Sequence, residues 1–144
     1  MDGIDVRPAD AADHAALLAI HHAYGWDTPA LEDEEWAIRV SGSIVGGASL
    51  VTIEPGLVYL LALIIAEPFR GSGLGRQTLE VLLGSREARW WTECRDSRVA
   101  FYERNEFSRS DRLPESLSIY LAEPGVLPTG RRHNFLTRTS ELGE

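Results

Sequence analysis

The segment from Leu57 to Leu83 constrains the fold of this 144-residue chain more than any other. It begins with an apolar run, Leu57 to Ala66, whose two faces are equally hydrophobic, as in a strand covered from both sides. Arg70-Gly71-Ser72-Gly73-Leu74-Gly75 follows, and Leu79, Leu82 and Leu83 then repeat at helical spacing. A buried strand that passes through a short loop directly into an amphipathic helix must fold that helix back onto a sheet, which predicts α/β layering. The same segment predicts chemistry. Small residues let backbone N–H groups converge, and a helix start adds partial positive charge, so the loop reads as an anion site. Arg70 and Arg76 bracket it and can pair with phosphate oxygens. A nucleotide-hydrolysing P-loop is excluded because no Gly-Lys-Ser/Thr ending is present. A dinucleotide fingerprint needs a different glycine spacing, earlier in the chain. The competing reading is a glycine-rich turn that serves only helix–strand packing.

Elsewhere the pattern alternates between strands and helices. Ile4 and Val6 predict a short strand ending at Pro8, and Asp10 is placed to cap a helix carrying Leu17, Ile20 and Tyr24. Gly25 and Pro29 break that pattern, and the aromatic, acidic stretch from Trp26 to Glu35 reads as a loop or short helix. Trp36, Ile38 and Val40 alternate, Ser41-Gly42-Ser43 turns, and Ile44 to Ile53 returns as a strand ending near the Pro55-Gly56 turn. After the glycine loop and its helix, Ala88 to Thr92 reads as a buried strand. Val99, Phe101 and Tyr102 lie on a second short helix, and Phe107 and Leu117 to Leu121 suggest two final strands. The predicted class is α/β (α+β): one domain over 1–122, with a mixed, mostly antiparallel central sheet flanked by helices on both sides. From Glu123 onward, Pro124, Gly125, Pro128 and Gly130 interrupt any periodicity. Residues 123–144 are therefore expected to form a tail, loosely ordered or packed only in an oligomer such as a homodimer.

Composition narrows the function. Acidic residues outnumber basic ones 22 to 14, every basic residue is Arg, and the formal charge is -8, which argues against nucleic-acid binding. One cysteine, Cys94, excludes an intrachain disulfide and cysteine-rich zinc sites. His14, His21 and His22 lack the i, i+4 spacing that places two metal ligands on one helical face, so no metal is expected. The chain start does not read as a signal peptide, and the ten-residue apolar run is about half of what a membrane helix needs. A cytoplasmic protein without a membrane partner is the expectation.

The loop resembles that of the GNAT superfamily of acyl-CoA-dependent N-acyltransferases, Arg/Gln-x-x-Gly-x-Gly/Ala after the fourth strand, and Arg70 to Gly75 match each fixed position. A second signature of that family, Phe-Tyr-Glu-x-x-Gly-Phe, is similar to Phe101-Tyr102-Glu103-Arg104-Asn105-Glu106-Phe107. The resemblance covers most of Ile4 to Leu121 and implies acetyl-CoA as co-substrate. Backbone amides of Arg70, Gly71, Ser72, Gly73, Leu74 and Gly75, with Arg76, would hold its pyrophosphate. Main-chain groups of Leu63 and Ile65 would bind the pantetheine arm between splayed fourth and fifth strands and polarise the thioester carbonyl. Tyr102 would protonate the departing thiolate, a task for which a phenol of pKa about 10 is suited. Glu106 departs from the family's Gly, and Asn105 is expected to take the left-handed helix end instead.

The acceptor, a small-molecule or peptide primary amine, needs a base or a water chain. Glu54 and Glu67 are the nearest carboxylates by position, each also readable as an ordinary surface group. Tyr24, Trp26 and Asp27 form either an aromatic, acidic pocket for a cationic amine or a partly buried helix end. Trp90 and Trp91 face opposite sides of their strand, one in the core and the other either packed or lining the acyl-CoA channel, and Cys94 is read as structural. Two other functions fit the same sequence: a catalytically silent CoA-binding or protein-interaction domain, and a toxin-type enzyme acetylating aminoacyl-tRNA.

Overall fold

The computed structural model describes residues 3–24, 34–122 and 134–141. Seven strands form one mixed sheet: β1 (Ile4–Pro8), β2 (Glu34–Val40), β3 (Ser43–Glu54), β4 (Leu57–Ile65), β5 (Ala88–Cys94), β6 (Ser108–Arg109) and β7 (Asn134–Ser140), in the order β1-β2-β3-β4-β5-β7-β6. Among the described residues the α-helices are α1 (His14–Ala23), α2 (Leu74–Gly84), α3 (Asp96–Arg104) and α4 (Glu115–Leu121). The α/β class and the mixed sheet are those expected. The domain divides into two compact units, Met1–Val51 with Leu61–Leu82, and Thr52–Leu60 with Leu83–Glu144.

In the first unit, β1 and β2 pair antiparallel from Ile4↔Val40 to Pro8↔Trp36, and β2 pairs with β3 from Val40↔Ser43 to Glu34↔Leu50. Helix α1 begins at His14 with Asp13, not Asp10, as its cap residue and no side-chain cap bond. In the turn before it, the Asp10 carboxylate accepts from the Asp13 N–H (3.1 Å) and the Asp13 carboxylate from the Asp10 N–H (3.0 Å). Asp13 also pairs with Arg39. Leu17 packs against Gly47 so closely that a Cβ there would stand 2.6 Å from the Leu17 Cδ2, which explains the glycine. On the other face, the fully buried Ile38 and Val45 meet Leu74, the first residue of α2, with Val6, Leu63, Ile65 and Phe69 around them. Leu74, Thr78, Leu79 and Leu82 are buried at helical spacing, so the apolar stripe of α2 fixes the position of the loop that precedes it.

In the second unit, β4 and β5 pair in parallel from Leu57↔Arg89 to Leu60↔Thr92, and β5 pairs antiparallel with β7 from Ala88↔Ser140 to Cys94↔Asn134. Two expectations are corrected here. Leu117 to Leu121 is a helix, not a strand. Its Leu117, Ile119 and Leu121 alternate, yet Pro114 at the cap and Glu115 in the first turn favour a helix, which buries Leu117 and leaves Ile119 61% exposed. The final strand instead comes from the segment read as a tail: β7 lies between β5 and β6, with Leu136 fully buried. Residues 123–133 lie outside the described residues. The short β6 pairs only Ser108↔Thr137 and Arg109↔Leu136.

Candidate active site

The glycine loop belongs to the first unit. Strand β4 ends at Ile65, Glu67–Phe69 makes one 3-10 turn, and α2 begins at Leu74. Gly71 and Gly73 have φ of +80° and +82°, and no atom lies within 4 Å of where a Cβ would stand on either. Neighbouring side chains therefore do not require glycine at these positions. The left-handed backbone does, and it leaves the loop's amides approachable. Arg70 to Gly73 are exposed, whereas Leu74 is anchored in the core, so the helix start is rigid and its leading edge open.

Side chains brace this loop from behind. The Ser72 hydroxyl donates to the Phe69 carbonyl (2.7 Å), and Arg70 Nε donates to the Ile65 carbonyl (2.7 Å). The Arg70 guanidinium lies 4.8 Å from the centre of the Tyr24 ring, and the Tyr24 hydroxyl accepts from the Glu67 N–H (2.7 Å). Tyr24, read from sequence as part of an acceptor pocket, is thus engaged with the loop entry. Trp26 and Asp27 lie outside the described residues. Arg76 pairs with Glu80 one turn on, Nε to Oε1 3.1 Å, both side chains largely exposed. Glu67 is exposed at the loop entry.

The Ala66 N–H donates to the Val45 carbonyl of β3 at 2.8 Å. By the alternation of an extended strand, the main-chain groups of Ile65, and two residues earlier Leu63, turn toward the opposite edge of β4. This is the edge on which the sequence reading expects a ligand arm. Within the second unit, Leu60↔Thr92 is the last rung of the β4–β5 ladder among the described residues, while β5 continues to Cys94.

Tyr102 lies in the second unit, buried on α3, between the rings of Phe101 (centroids 5.0 Å apart) and Phe107 (5.5 Å). Burial holds its phenol protonated well above the ordinary tyrosine range, and a hydrogen bond with the Thr92 side chain opposes that shift in part. Thr92 in turn donates its hydroxyl to the Leu60 carbonyl (3.0 Å), so Tyr102 is tied to the last rung of the ladder. Sequence reading missed Thr92, because a threonine in a buried strand looks like β-branched filler. Glu54 is exposed at the hairpin turn where β4 begins, whereas the glycine loop follows the other end of that strand. Burial pushes the Cys94 thiol up to about 11, which fits a structural residue rather than a nucleophile.

The end of α3 corrects another expectation. Glu106, not Asn105, takes the left-handed conformation, with φ of +68° against −101° for Asn105. Phe107 N–H bonds the Tyr102 carbonyl and Glu106 N–H the Glu103 carbonyl, both 3.1 Å, the paired closure that glycine usually makes. Arg138 secures it, pairing with the Glu106 carboxylate (3.1 Å) and donating to the Asn105 carbonyl (2.8 Å).

No helix among the described residues is long and apolar enough to cross a membrane. No curated protein matches the chain. Solved structures do share its fold. A GNAT family acetyltransferase from Elizabethkingia anophelis with acetyl-CoA bound is 18% identical, with a TM-score of 0.67 over 96% of this chain and 99% of that one. An acetyltransferase from Thermus thermophilus is 18% identical, with a TM-score of 0.68 over 94% and 96%. N-acetylglutamate synthase from Neisseria gonorrhoeae, complexed with coenzyme A and L-arginine, is 15% identical, with a TM-score of 0.73 over 97% of this chain and 34% of that one. The sequence model described as the acetyltransferase (GNAT) domain matches residues 32–109, more than half of the chain, and the protein belongs to that family.

Proposed function

We propose that the protein transfers an acetyl group from acetyl-CoA to a primary amine of a small molecule or peptide by direct attack. The observation that carries this reading is the loop from Arg70 to Gly75. Its two glycines are left-handed, no side chain crowds them, and they open a helix whose first residue is locked in the core. Such a loop suits a pyrophosphate, because converging N–H groups and the helix start act together. The main-chain groups of Leu63 and Ile65 suit the amides of a pantetheine arm.

In the reaction, the amine nitrogen attacks the acetyl carbonyl carbon and forms a tetrahedral oxyanion, which a backbone N–H of β4 stabilises. The carbon–sulfur bond then breaks, and Tyr102 gives its phenolic proton to the thiolate. The proton lost by the amine passes to water or to a carboxylate. Glu67, at the loop entry, is better placed for that than Glu54, which sits at the other end of β4. The net negative charge of the chain, -8, favours a cationic amine over an anionic acceptor.

The test is release of free CoA from acetyl-CoA on a panel of amino acids, polyamines and peptides. Steady turnover on any amine supports the reading. Binding of acetyl-CoA with no turnover on any of them favours a silent CoA-binding domain instead.

A further inference from the structure

Two adjacent residues of the second unit place buried hydrogen-bonding groups where no partner among the described residues meets them. Tyr59 of β4 and Trp91 of β5 are register partners, so their side chains stand on the same face of the parallel pair. They are 1% and 3% exposed, yet neither the Tyr59 hydroxyl nor the Trp91 indole N–H has a hydrogen-bond partner among the described residues. Trp90, the neighbour on the opposite face, shows the ordinary arrangement: its N–H donates to the Ser140 hydroxyl at 2.8 Å. An orphaned buried donor is costly, and two side by side call for a ligand or another explanation.

The surroundings state what such a ligand must look like. Glu93, two residues along β5, shares the face of Trp91 and is half-buried; burial first, and the Glu93 charge second, keep the Tyr59 phenol protonated. Tyr120 of α4 meets Tyr59 edge-on with ring centres 6.0 Å apart. Aromatic faces beside one carboxylate suit an ammonium group. An indole N–H can only donate, so the ligand must also present an acceptor oxygen. We infer that Tyr59, Trp91, Glu93 and Tyr120 bind a cationic amine with a carbonyl or hydroxyl oxygen close to its nitrogen, the ammonium toward Glu93 and the oxygen toward the Trp91 N–H and Tyr59 O–H. This names the class of acceptor for the proposed reaction and rests on that reading only for the ligand's being a substrate; the binding itself does not.

The test therefore omits acetyl-CoA. The indole N–H resonance of Trp91 in the full-length protein is followed by NMR during titration with glycinamide, which carries both features, with propylamine, the cation without the oxygen, and with acetamide, the oxygen without the cation. Glycinamide is expected to shift the resonance saturably and to bind at least about tenfold more tightly than either control, about 1.4 kcal/mol. Glu93→Gln should remove that advantage over acetamide. Tyr59→Phe should weaken glycinamide binding yet raise the melting temperature, because it deletes a hydroxyl that no described residue satisfies. A resonance that glycinamide leaves unmoved, or equal affinity for all three compounds, overturns the inference. So does a melting temperature lowered by Tyr59→Phe, which would mean that the hydroxyl has a protein partner. None of these failures touches acetyl-CoA binding or CoA release, which test the proposed reaction separately.

Discussion

The chain takes the left-handed backbone at two places that bear on the proposed reaction and fills it in opposite ways. In the glycine loop, Gly71 and Gly73 adopt it in open space with exposed backbone, and a side-chain bond, Ser72 hydroxyl to Phe69 carbonyl, spans Gly71. At the end of α3, Glu106 adopts it with a side chain, closed by two backbone bonds, the Tyr102–Phe107 ring contact and Arg138. An open left-handed turn is useful for what can approach it. A closed one is useful for what it holds still, here the carbonyl end of Tyr102. In the proposed reaction the first region acts through its backbone and the second through one side chain, so substitutions should separate binding from rate.

Gly73→Ala should produce the largest effect. A Cβ at φ +82° strains the loop and stands where a pyrophosphate would approach, so acetyl-CoA affinity should fall about a hundredfold by calorimetry. The melting temperature of the free protein should change far less. If affinity is unchanged, the loop is only a packing turn.

Tyr102→Phe should do the reverse, lowering kcat about a hundredfold while acetyl-CoA affinity holds. Equal loss of both would make Tyr102 structural. The pH profile sharpens the point. Burial raises the Tyr102 pKa, so its acid form persists as pH rises, and no alkaline fall in kcat from this group should begin below about pH 10.

If the second region is closed as described, Cys94 should resist thiol reagents. With its pKa pushed up to about 11, the thiolate at neutral pH should be about a hundredfold scarcer than in the unfolded chain. Labelling as fast in native as in unfolded protein would contradict the closure.

The smallest effect should come from Glu106→Gly. Relief of about 1–2 kcal/mol of left-handed strain is offset by the extra chain entropy of glycine and the loss of an exposed ion pair, leaving about 0.5 kcal/mol of added stability in denaturant unfolding. A clear loss would mean that Arg138 holds the turn more strongly than an exposed pair should.

The conformation of the glycine loop was legible in the sequence because it depends on residue type: few residues tolerate a left-handed backbone, and glycine marks such positions. Tyr102 was legible only through the family signature around it. Its anchor, Thr92, was not, since nothing local distinguishes a hydrogen-bonded threonine from a packed one. Glu106 misled for a related reason. Asn is the better left-handed residue in isolation, but Phe107 had to reach the Tyr102 ring, and this set the turn one residue later. In the fold, Leu117 to Leu121 fitted both periods, and Pro114 decided between them. The last strand was hidden because Asn134 to Ser140 alternates Phe135 and Thr137 against Leu136 and Arg138, with weak contrast between faces. Tyr59 sits in a strand read as apolar on both faces, and of Trp90 and Trp91 the sequence left open which was core; both tryptophans and Tyr59 are buried. The unmet hydrogen bonds of Tyr59 and Trp91 become visible only once the register aligns them.

The central claim is that the loop of Arg70 to Gly75 holds a pyrophosphate, and calorimetric titration with acetyl-CoA and with S-acetylpantetheine, which has the thioester and arm but no pyrophosphate, tests it most directly. Acetyl-CoA should bind saturably, and S-acetylpantetheine should bind at least about a hundredfold more weakly, about 2.7 kcal/mol. Equal affinity for the two, or no binding of acetyl-CoA, would contradict it.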